Sequence, residues 1–269
     1  EPALRDIGAT MTQQKMPAVF LGHGSPMNTL QQNEYTDAWR KFGASIPKPR
    51  AVLCVSAHWF THGTHVTATP TPETIHDFGG FPQALFDFQY PAPGDPALAH
   101  RVANLLKPLN VGLDQKWGLD HGTWSVLAHV FPEADIPVIQ LSIDRTQPAQ
   151  FHYDLGKQLA PLRDEGVLIV GSGNVVHNLG IMNWREQTVA FDWAIRFNDL
   201  VKESLASRNH APLIGFDKLG KDAELSINSM EHYLPFLYTI GLQDADDKAT
   251  LLTDGIFGGS ISMLSVAIG

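Results

Sequence analysis

Short runs of consecutive apolar residues recur along the chain, and they alternate with longer stretches in which apolar residues return every three or four positions. The short runs are rich in Val, Ile and Leu and mostly lack polar alternation, so they predict strands that are buried on both faces. These predicted strands are Ala18–Leu21, Ala51–Ser56, Pro137–Ile143, Val167–Val170 and Ile261–Ile268.

The longer stretches predict amphipathic helices, because residues three and four apart share one helix face. Asp95 followed by Pro96 also fits the cap and the first position of a helix. The predicted helices are Glu34–Phe42, a helix that follows Asp95, Gln150–Leu162 and Phe191–Leu205. Strands that alternate with helices indicate an α/β domain, with a mostly parallel or mixed central sheet and helices on both faces.

No repeat, linker or low-complexity tract divides the chain. We therefore expect one domain at residues 17–269, preceded by a flexible lead at residues 1–16. The segment Thr69–Gly94 is irregular and rich in Gly and Pro, and a loop of this length in a compact domain is usually functional. Its aromatic residues either cover a pocket for a flat substrate or fix the loop to the core. They are Phe78, Phe81, Phe86, Phe88 and Tyr90.

The composition of the chain limits the kinds of partner that it can bind. The chain has 269 residues, of which 43% are hydrophobic and 17% are charged, as in an ordinary globular protein. A net charge of −9 argues against binding to nucleic acid or to an anionic membrane surface. The single cysteine, Cys54, forms no internal disulfide, which fits a cytoplasmic location. No apolar run reaches the roughly 18 residues that a membrane span needs.

Four of the twelve histidines occupy informative positions. His23 and His58 end the first two predicted strands, and His177 follows the fourth after a Gly-Ser-Gly-Asn segment that predicts a tight turn. His121 opens an apolar helical stretch. Sites in open α/β sheets form beyond the carboxyl ends of the strands, so histidines distant in sequence can converge there. Imidazole suits Fe(II), Zn and Cu, and the pattern therefore predicts a metal site, although a single histidine is more often structural.

A further candidate pair lies in the segment Met230–Pro235, where Glu231 and His232 are adjacent. A site with two histidines and a third protein ligand leaves coordination positions open for substrate and oxygen. Successive side chains on a helix point about 100° apart, so we expect only one of the pair to reach the metal. His76, beside Asp77 in the irregular loop, either contacts substrate or stabilises the loop.

Taken together, six segments resemble the extradiol dioxygenases of the LigB superfamily, specifically their DOPA-type branch. The segments follow the family's order along nearly the whole chain. They are Phe20–Asn28, Ser56–Trp59, Ile75–Pro82, Gly118–Gly122, Gly171–Asn178 and Glu231–Pro235.

The resemblance implies one α/β domain with a mononuclear metal near the carboxyl ends of the strands. It implies that His23 and His58 are ligands and that His232 is the third. Glu231 remains the alternative, because protocatechuate-type members of the superfamily place a glutamate there. His177 matches the acid/base histidine and is also a possible fourth ligand, and His121 matches a second catalytic histidine of the pocket.

The resemblance further implies that a catechol, of which L-DOPA is the model, is opened beside its paired hydroxyls by O₂ to give a muconic semialdehyde. Fe(II) would support activity, and Zn²⁺ is a plausible occupant of the same imidazole site. We take His76, Phe78 and Tyr233 as candidate substrate contacts. Two other functions use the same residues: a zinc-dependent hydrolase on the same histidines, and a non-enzymatic redox or signalling module of the same superfamily.

Overall fold

A computed structural model describes residues 14–269 of the chain. Its strands are β1 (Ala18–Gly22), β2 (Ala51–Ser56), β3 (Phe60–Thr61), β4 (His65–Thr67), β5 (Gly112–Asp114), β6 (Val138–Gln140), β7 (Ile143–Asp144), β8 (Val167–Gly173), β9 (Ala249–Thr253), β10 (Ile256–Phe257), β11 (Ile261–Ser262) and β12 (Ser265–Ile268). Its helices are α1 (Glu34–Ser45), α2 (Gln83–Asp87), α3 (Pro96–Leu105), α4 (His121–Val130), α5 (Ala149–Gln158), α6 (Pro161–Asp164), α7 (Asp192–Ala206), α8 (Ala211–Ile214), α9 (Lys221–Ser226) and α10 (Leu234–Gly241).

Six strands form the central sheet in the order β6-β2-β8-β1-β12-β9. The first four are parallel to one another. Strand β12 is antiparallel to both β1 and β9. The sheet is therefore mixed, as predicted, and the parallel strands bring their carboxyl ends to one edge.

Alternate residues of the parallel strands face two separate cores. On one side, Ala18 and Phe20 of β1 pack in a cluster with side chains of α3, α5, α7 and α10. On the other side, Val19 and Leu21 pack in a cluster with side chains of α1 and α4. Both faces of the sheet are covered by helices, which confirms the predicted fold class and explains why the strands read as continuous apolar runs.

Strand β8 corrects one prediction from the sequence. The residues Gly171, Ser172 and Gly173 do not form a turn, because they stay in register with β1, where Phe20 pairs with Gly171. The two glycines serve close packing: a Cβ atom on Gly171 would lie 2.5 Å from the carbonyl oxygen of Pro235 in α10. The strand thus extends to its glycine-rich end and carries the chain directly to the edge of the sheet.

Three other predicted elements are divided, and one of them is the predicted strand Ile261–Ile268, which forms β11 in a separate two-stranded sheet and β12 in the central sheet. The apolar stretch at residues 137–143 leaves the central sheet after β6, forms a single bridge between Leu141 and Val66, and continues as β7, which pairs with β3. The helix predicted to end at Leu162 ends at Gln158, because Pro161 restricts the residue before it and has no N–H to continue the helix. Helix α10 was not predicted, because it is buried all round and therefore shows no helical period.

The chain is packed from Met16 onward. Residues 1–13 of the predicted flexible lead lie outside the described residues, but Met16 is buried and donates its backbone N–H to the carbonyl oxygen of Arg163 at 2.9 Å. The boundary predicted at residue 17 is therefore too late. Among residues 14–269, no helix combines the length and the apolar character that a membrane crossing requires.

Arg163 joins three distant parts of the domain from a buried position, with 2% of its surface exposed. Its guanidinium donates hydrogen bonds to the carbonyl oxygens of Met16 and Leu242, at 2.8 and 2.9 Å. It also donates to both carboxylate oxygens of Asp247, at 2.6 and 3.2 Å. The guanidinium thus ties the segment before β1 to the end of α10 and to the segment before β9.

We expect Arg163→Met to lower the free energy of unfolding by about 3–5 kcal/mol, because the buried Asp247 carboxylate loses the guanidinium that contacts both of its oxygens and, within residues 14–269, keeps only the more distant Lys15, at 3.7 Å, as a cationic partner. The matched control is Arg101→Met, which breaks an exposed pair with Glu165 and should cost less than about 1 kcal/mol. Urea titration followed by tryptophan fluorescence measures both values. Equal losses of the free energy of unfolding in the two variants would show that the buried pair stabilises the fold no more than the exposed pair does.

Candidate metal centre and catalytic cavity

Three histidines meet at the carboxyl ends of the parallel strands. His23 directly follows β1, and His58 lies just beyond β2. The segment of His232 reaches the sheet because Gly173 has no side chain, and a Cβ atom there would lie 2.2 Å from the carbonyl oxygen of His232. Asn174 donates its backbone N–H to that same oxygen at 2.8 Å. The end of β8 therefore fixes His232 beside the other two histidines.

The ring nitrogens of His23, His58 and His232 converge. One nitrogen from each ring lies within 4.8 Å of the others, and Nε2 of His23 is 3.3 Å from Nε2 of His58. Metal–nitrogen bonds of about 2.0–2.1 Å in a tetrahedral site place neighbouring ligand nitrogens about 3.3 Å apart. The spacing thus fits a single Zn²⁺ or Fe(II) ion, and three protein ligands leave coordination positions open.

A hydrogen bond fixes which nitrogen of His23 is free. Ser172, in β8, donates its hydroxyl hydrogen to the carbonyl oxygen of Gly122 at 2.5 Å. The oxygen of that hydroxyl lies 2.9 Å from Nδ1 of His23, so it accepts the N–H of this nitrogen. The lone pair of His23 is left on Nε2, the atom that faces His58. Partners of this kind orient the histidine ligands of metal ions.

Burial keeps the three imidazoles uncharged. Burial, followed by the neighbouring histidines, lowers the pKa of His23 and of His232 well below the usual value. Burial and then His121 lower the pKa of His58 to about 3. Near neutral pH each ring therefore keeps a lone pair, which is the form in which histidine binds a metal ion.

Glu231 does not join this group. Its carboxylate accepts a hydrogen bond from the hydroxyl of Ser229 at 2.8 Å and lies 3.4 Å from Nδ1 of His232. The side chain that converges with the other two histidines is the imidazole of His232. The geometry thus favours His232 over Glu231 as the third ligand and leaves the carboxylate as a contact of its ring.

His177 lies against the centre. Its ring stacks on that of His232, with centroids 3.5 Å apart and 4° between the planes. Its backbone N–H donates to the carbonyl oxygen of Ser226 at 2.9 Å. Within residues 14–269, His177 belongs to neither group of converging ligand atoms. Burial lowers the pKa of His177 to about 4, although Glu231 raises it. The placement supports a proton acceptor and gives no support to a fourth ligand.

His121 approaches from the opposite side, as the first residue of α4. Its ring centroid lies 3.9 Å from that of His58. The start of α4 is fixed by the buried Asp120, whose two carboxylate oxygens accept hydrogen bonds from Ser56 at 2.6 Å and from the side chain of Gln140 at 2.8 Å. The helix start thus holds His121 over the end of β2.

Asp77 brings a carboxylate to the same place. It accepts the backbone N–H of His121 at 2.9 Å, and its Oδ2 lies 2.9 Å from Nδ1 of His121 and 3.9 Å from Nδ1 of His58. These three side chains form a second group of possible ligand atoms within 4.8 Å. Burial raises the pKa of Asp77, but its contacts with His121 lower that pKa by more. The net pKa is below the usual value, so the carboxyl is ionised near neutral pH.

A cavity of about 550 Å³ opens onto the histidines. The five rings of His23, His58, His121, His177 and His232 line one part of it. Phe78 and Phe81, from the irregular loop, line another part, and their rings meet edge to face at 5.4 Å. The remaining lining residues are Gly24, Ser25, Pro26, Met27, Gln31, Leu179, Met182, Trp184, Gln187, Phe257 and Ile261. The shape and the apolar lining suit a flat aromatic ring beside the metal site.

Of the other aromatic residues of the loop, Phe86 packs within the loop, whereas Phe88 and Tyr90 fix it to the core. The ring of Phe86 packs against Phe78 at 5.0 Å, and the ring of Phe88 stacks on Trp124 at 5.3 Å. Tyr90 is buried and donates its hydroxyl to the carbonyl oxygen of Phe131 at 2.8 Å. Of the two roles expected for the loop, Phe78 and Phe81 thus line the cavity, and Phe88 and Tyr90 fix the loop to the core.

Two of the predicted substrate contacts lie outside the lining. His76 Nε2 lies 2.8 Å from the carbonyl oxygen of Phe88, which matches the loop-stabilising alternative. Tyr233 is 1% exposed and donates its hydroxyl to the carbonyl oxygen of Leu213 at 2.6 Å. The prediction that Tyr233 contacts substrate is wrong, because the residue after His232 points into the core.

Comparisons with known proteins agree with this site. Residues 16–258 match the family model described as the catalytic LigB subunit of aromatic ring-opening dioxygenase. The chain is 52% identical to the 4,5-DOPA dioxygenase extradiol of Escherichia coli (strain K12), over 100% of this chain and 99% of the relative. It is 37% identical to the protein of the same name from Beta vulgaris, over 90% and 92%.

A solved structure shares the fold. The crystal structure of an uncharacterized protein from Escherichia coli K12 superposes with a TM-score of 0.83 at 48% identity, and it covers 94% of this chain and 100% of its own. The family match spans the strands, the histidines and the loop that together form the cavity. The chain therefore belongs to the LigB family of aromatic ring-opening dioxygenases, and it is an enzyme of that non-heme-metal class.

Proposed function

We propose that this enzyme opens a catechol ring beside its paired hydroxyls, in the extradiol position, and that an L-DOPA-like catechol is its substrate. The observation that carries the proposal is the convergence of three neutral imidazoles on one point of a cavity lined by Phe78 and Phe81. The names of the relatives from Escherichia coli and Beta vulgaris support the DOPA-like substrate.

The proposed ligands are His23, His58 and His232, and the proposed metal is Fe(II). When bound there, Fe(II) would supply the electron transfer that allows O₂ to react with the ring. Zn²⁺ fits the same imidazole nitrogens but is not a redox metal. The zinc hydrolase and the non-enzymatic module are not favoured, because the family and its named relatives are ring-opening dioxygenases.

The protein's own residues would position the ring and move its protons. Phe78 and Phe81 line the cavity and would hold the flat ring by apolar contact. His177 is neutral and stacked beside the ligand His232, so it can accept a proton from a catechol hydroxyl and return it later. His121 faces the ring from the other side and can accept a hydrogen bond from the substrate.

Loading the purified enzyme with Fe(II) without air, and then adding a catechol panel that includes L-DOPA under air, should give a yellow ring-opened semialdehyde. One O₂ should be consumed for each catechol, because both of its atoms enter the product. Oxygen uptake and visible absorbance measure this directly. The Zn²⁺-loaded enzyme is the control and should consume no oxygen. Absence of product and uptake across the panel would refute the proposed function.

The proposed ligands can be tested by metal content. His23→Ala, His58→Ala and His232→Ala should each lose bound metal, because each removes one of three nitrogens. Glu231→Ala is the matched control beside His232 and should keep its metal. Elemental analysis of the purified variants measures the outcome. Full metal content in His232→Ala together with loss in Glu231→Ala would make the carboxylate the third ligand.

Replacing His177 should separate catalysis from metal binding. His177→Ala should retain metal, because its ring stacks on a ligand without joining the converging nitrogens. Turnover should fall about 10²–10⁴-fold, the usual contribution of a general base. Anaerobic titration with Fe(II) and steady-state oxygen uptake measure the two effects. Failure of the variant to retain iron would make His177 a ligand.

A further inference from the structure

One carboxylate holds His121 at two points. Oδ1 of Asp77 accepts the backbone N–H of His121 at 2.9 Å, and Oδ2 lies 2.9 Å from Nδ1 of the same residue. This second contact is short but is not a well-formed hydrogen bond, and among residues 14–269 the buried Nδ1 has no hydrogen-bond partner. Asp77 thus places a carboxylate oxygen beside Nδ1, where it can determine which ring nitrogen carries the hydrogen.

An ionised carboxylate can only accept hydrogen bonds. In a neutral ring, the nitrogen beside Asp77 then carries the hydrogen, and the lone pair of His121 is left on Nε2. We propose that Asp77 is a positioning residue that holds His121 with hydrogen on Nδ1, so that Nε2 is the acceptor available to the substrate in the cavity. The role assigned to Nε2 rests on the proposed function, whereas the tautomer rests on the contacts of Asp77.

The tautomer matters because a catechol hydroxyl is a donor. A ring that presents N–H to that hydroxyl has no lone pair to offer, and a lost acceptor in a buried site is costly. The Ser–His–Asp triad shows such an effect, since replacing its Asp by Asn stabilises the wrong tautomer and lowers kcat by about 10⁴-fold while the geometry is kept.

The position of Asp77 in the chain links this tautomer to substrate binding. Its neighbour Phe78 lines the cavity, and the ring of Phe78 lies 5.6 Å from that of His121. The loop segment that covers the substrate thus also carries the carboxylate that orients the histidine. Displacement of this loop would remove the aromatic cover and the carboxylate together.

The decisive variant is Asp77→Asn, which keeps the shape and replaces one acceptor oxygen by an N–H₂ donor. The amide should donate to Nδ1 and move the ring hydrogen to Nε2. Long-range ¹H–¹⁵N NMR of the Zn²⁺-loaded protein distinguishes the two tautomers, and the spectrum of His121→Gln assigns the signal. We expect hydrogen on Nδ1 in the parent protein and on Nε2 in the variant.

Kinetics of the Fe(II) enzyme provide the second readout. Asp77→Asn should lower kcat and raise KM, together by about 10–10²-fold, because the catechol hydroxyl loses a buried acceptor. Asp77→Glu, which restores a carboxylate, should recover part of the loss. Asp87→Asn is the matched control, because Asp87 lies exposed in the same loop and, within residues 14–269, its carboxylate accepts only from Gln83. It should leave both the spectrum and kcat unchanged.

A double-mutant cycle shows whether Asp77 acts through His121. In the His121→Ala background, Asp77→Asn should have no further effect on kcat. A full additional loss would overturn the proposal, because Asp77 would then act directly on substrate or metal. An unchanged NMR tautomer in Asp77→Asn would overturn it as well. If the tautomer changes but the parent enzyme opens no catechol, the positioning role of Asp77 is supported and the proposed function is refuted.

Discussion

Burial of uncharged imidazoles at the end of a parallel sheet is the constraint on which the rest of the site depends. Five histidine rings line one cavity, and burial lowers the pKa of four of them: His23, His58, His177 and His232. Neutral rings can pack within a few ångströms of one another, whereas charged rings would repel. The cluster therefore does not need a carboxylate beside each ring, and ring nitrogens remain available to bind metal or accept protons.

Such a cluster requires the backbone at its edges to approach neighbouring residues closely. Gly173 lies under the carbonyl group of His232, and Gly122 lies against the hydroxyl of Ser56 and the ring of His58. A Cβ atom at either glycine would overlap these neighbours. Glycine is needed at these positions because it lacks a side chain, and neither has a positive φ. The glycines beside the histidines are therefore part of the geometry of the centre.

The sequence predicted the features that depend on periodicity and on strand ends. Buried strands appear as apolar runs, so the mixed sheet and the convergence of His23 and His58 followed from their positions. The sequence carries no comparable pattern for the direction in which a side chain points beyond the end of a strand. Tyr233 was therefore expected in the cavity although it lies in the core, and Gly173 was interpreted as part of a turn although it lies in β8. Asp77 and Ser172 were missed as partners of the histidines, because hydrogen bonds between distant segments leave no periodic trace.

The order of the ligands along the chain has a consequence for biosynthesis. His23 and His58 lie near the start of the domain, but His232 lies shortly before α10, close to its end. The three nitrogens can converge only after the sheet and α10 have packed together. If these three histidines hold the metal, the complete centre forms only after nearly the whole chain has been synthesised.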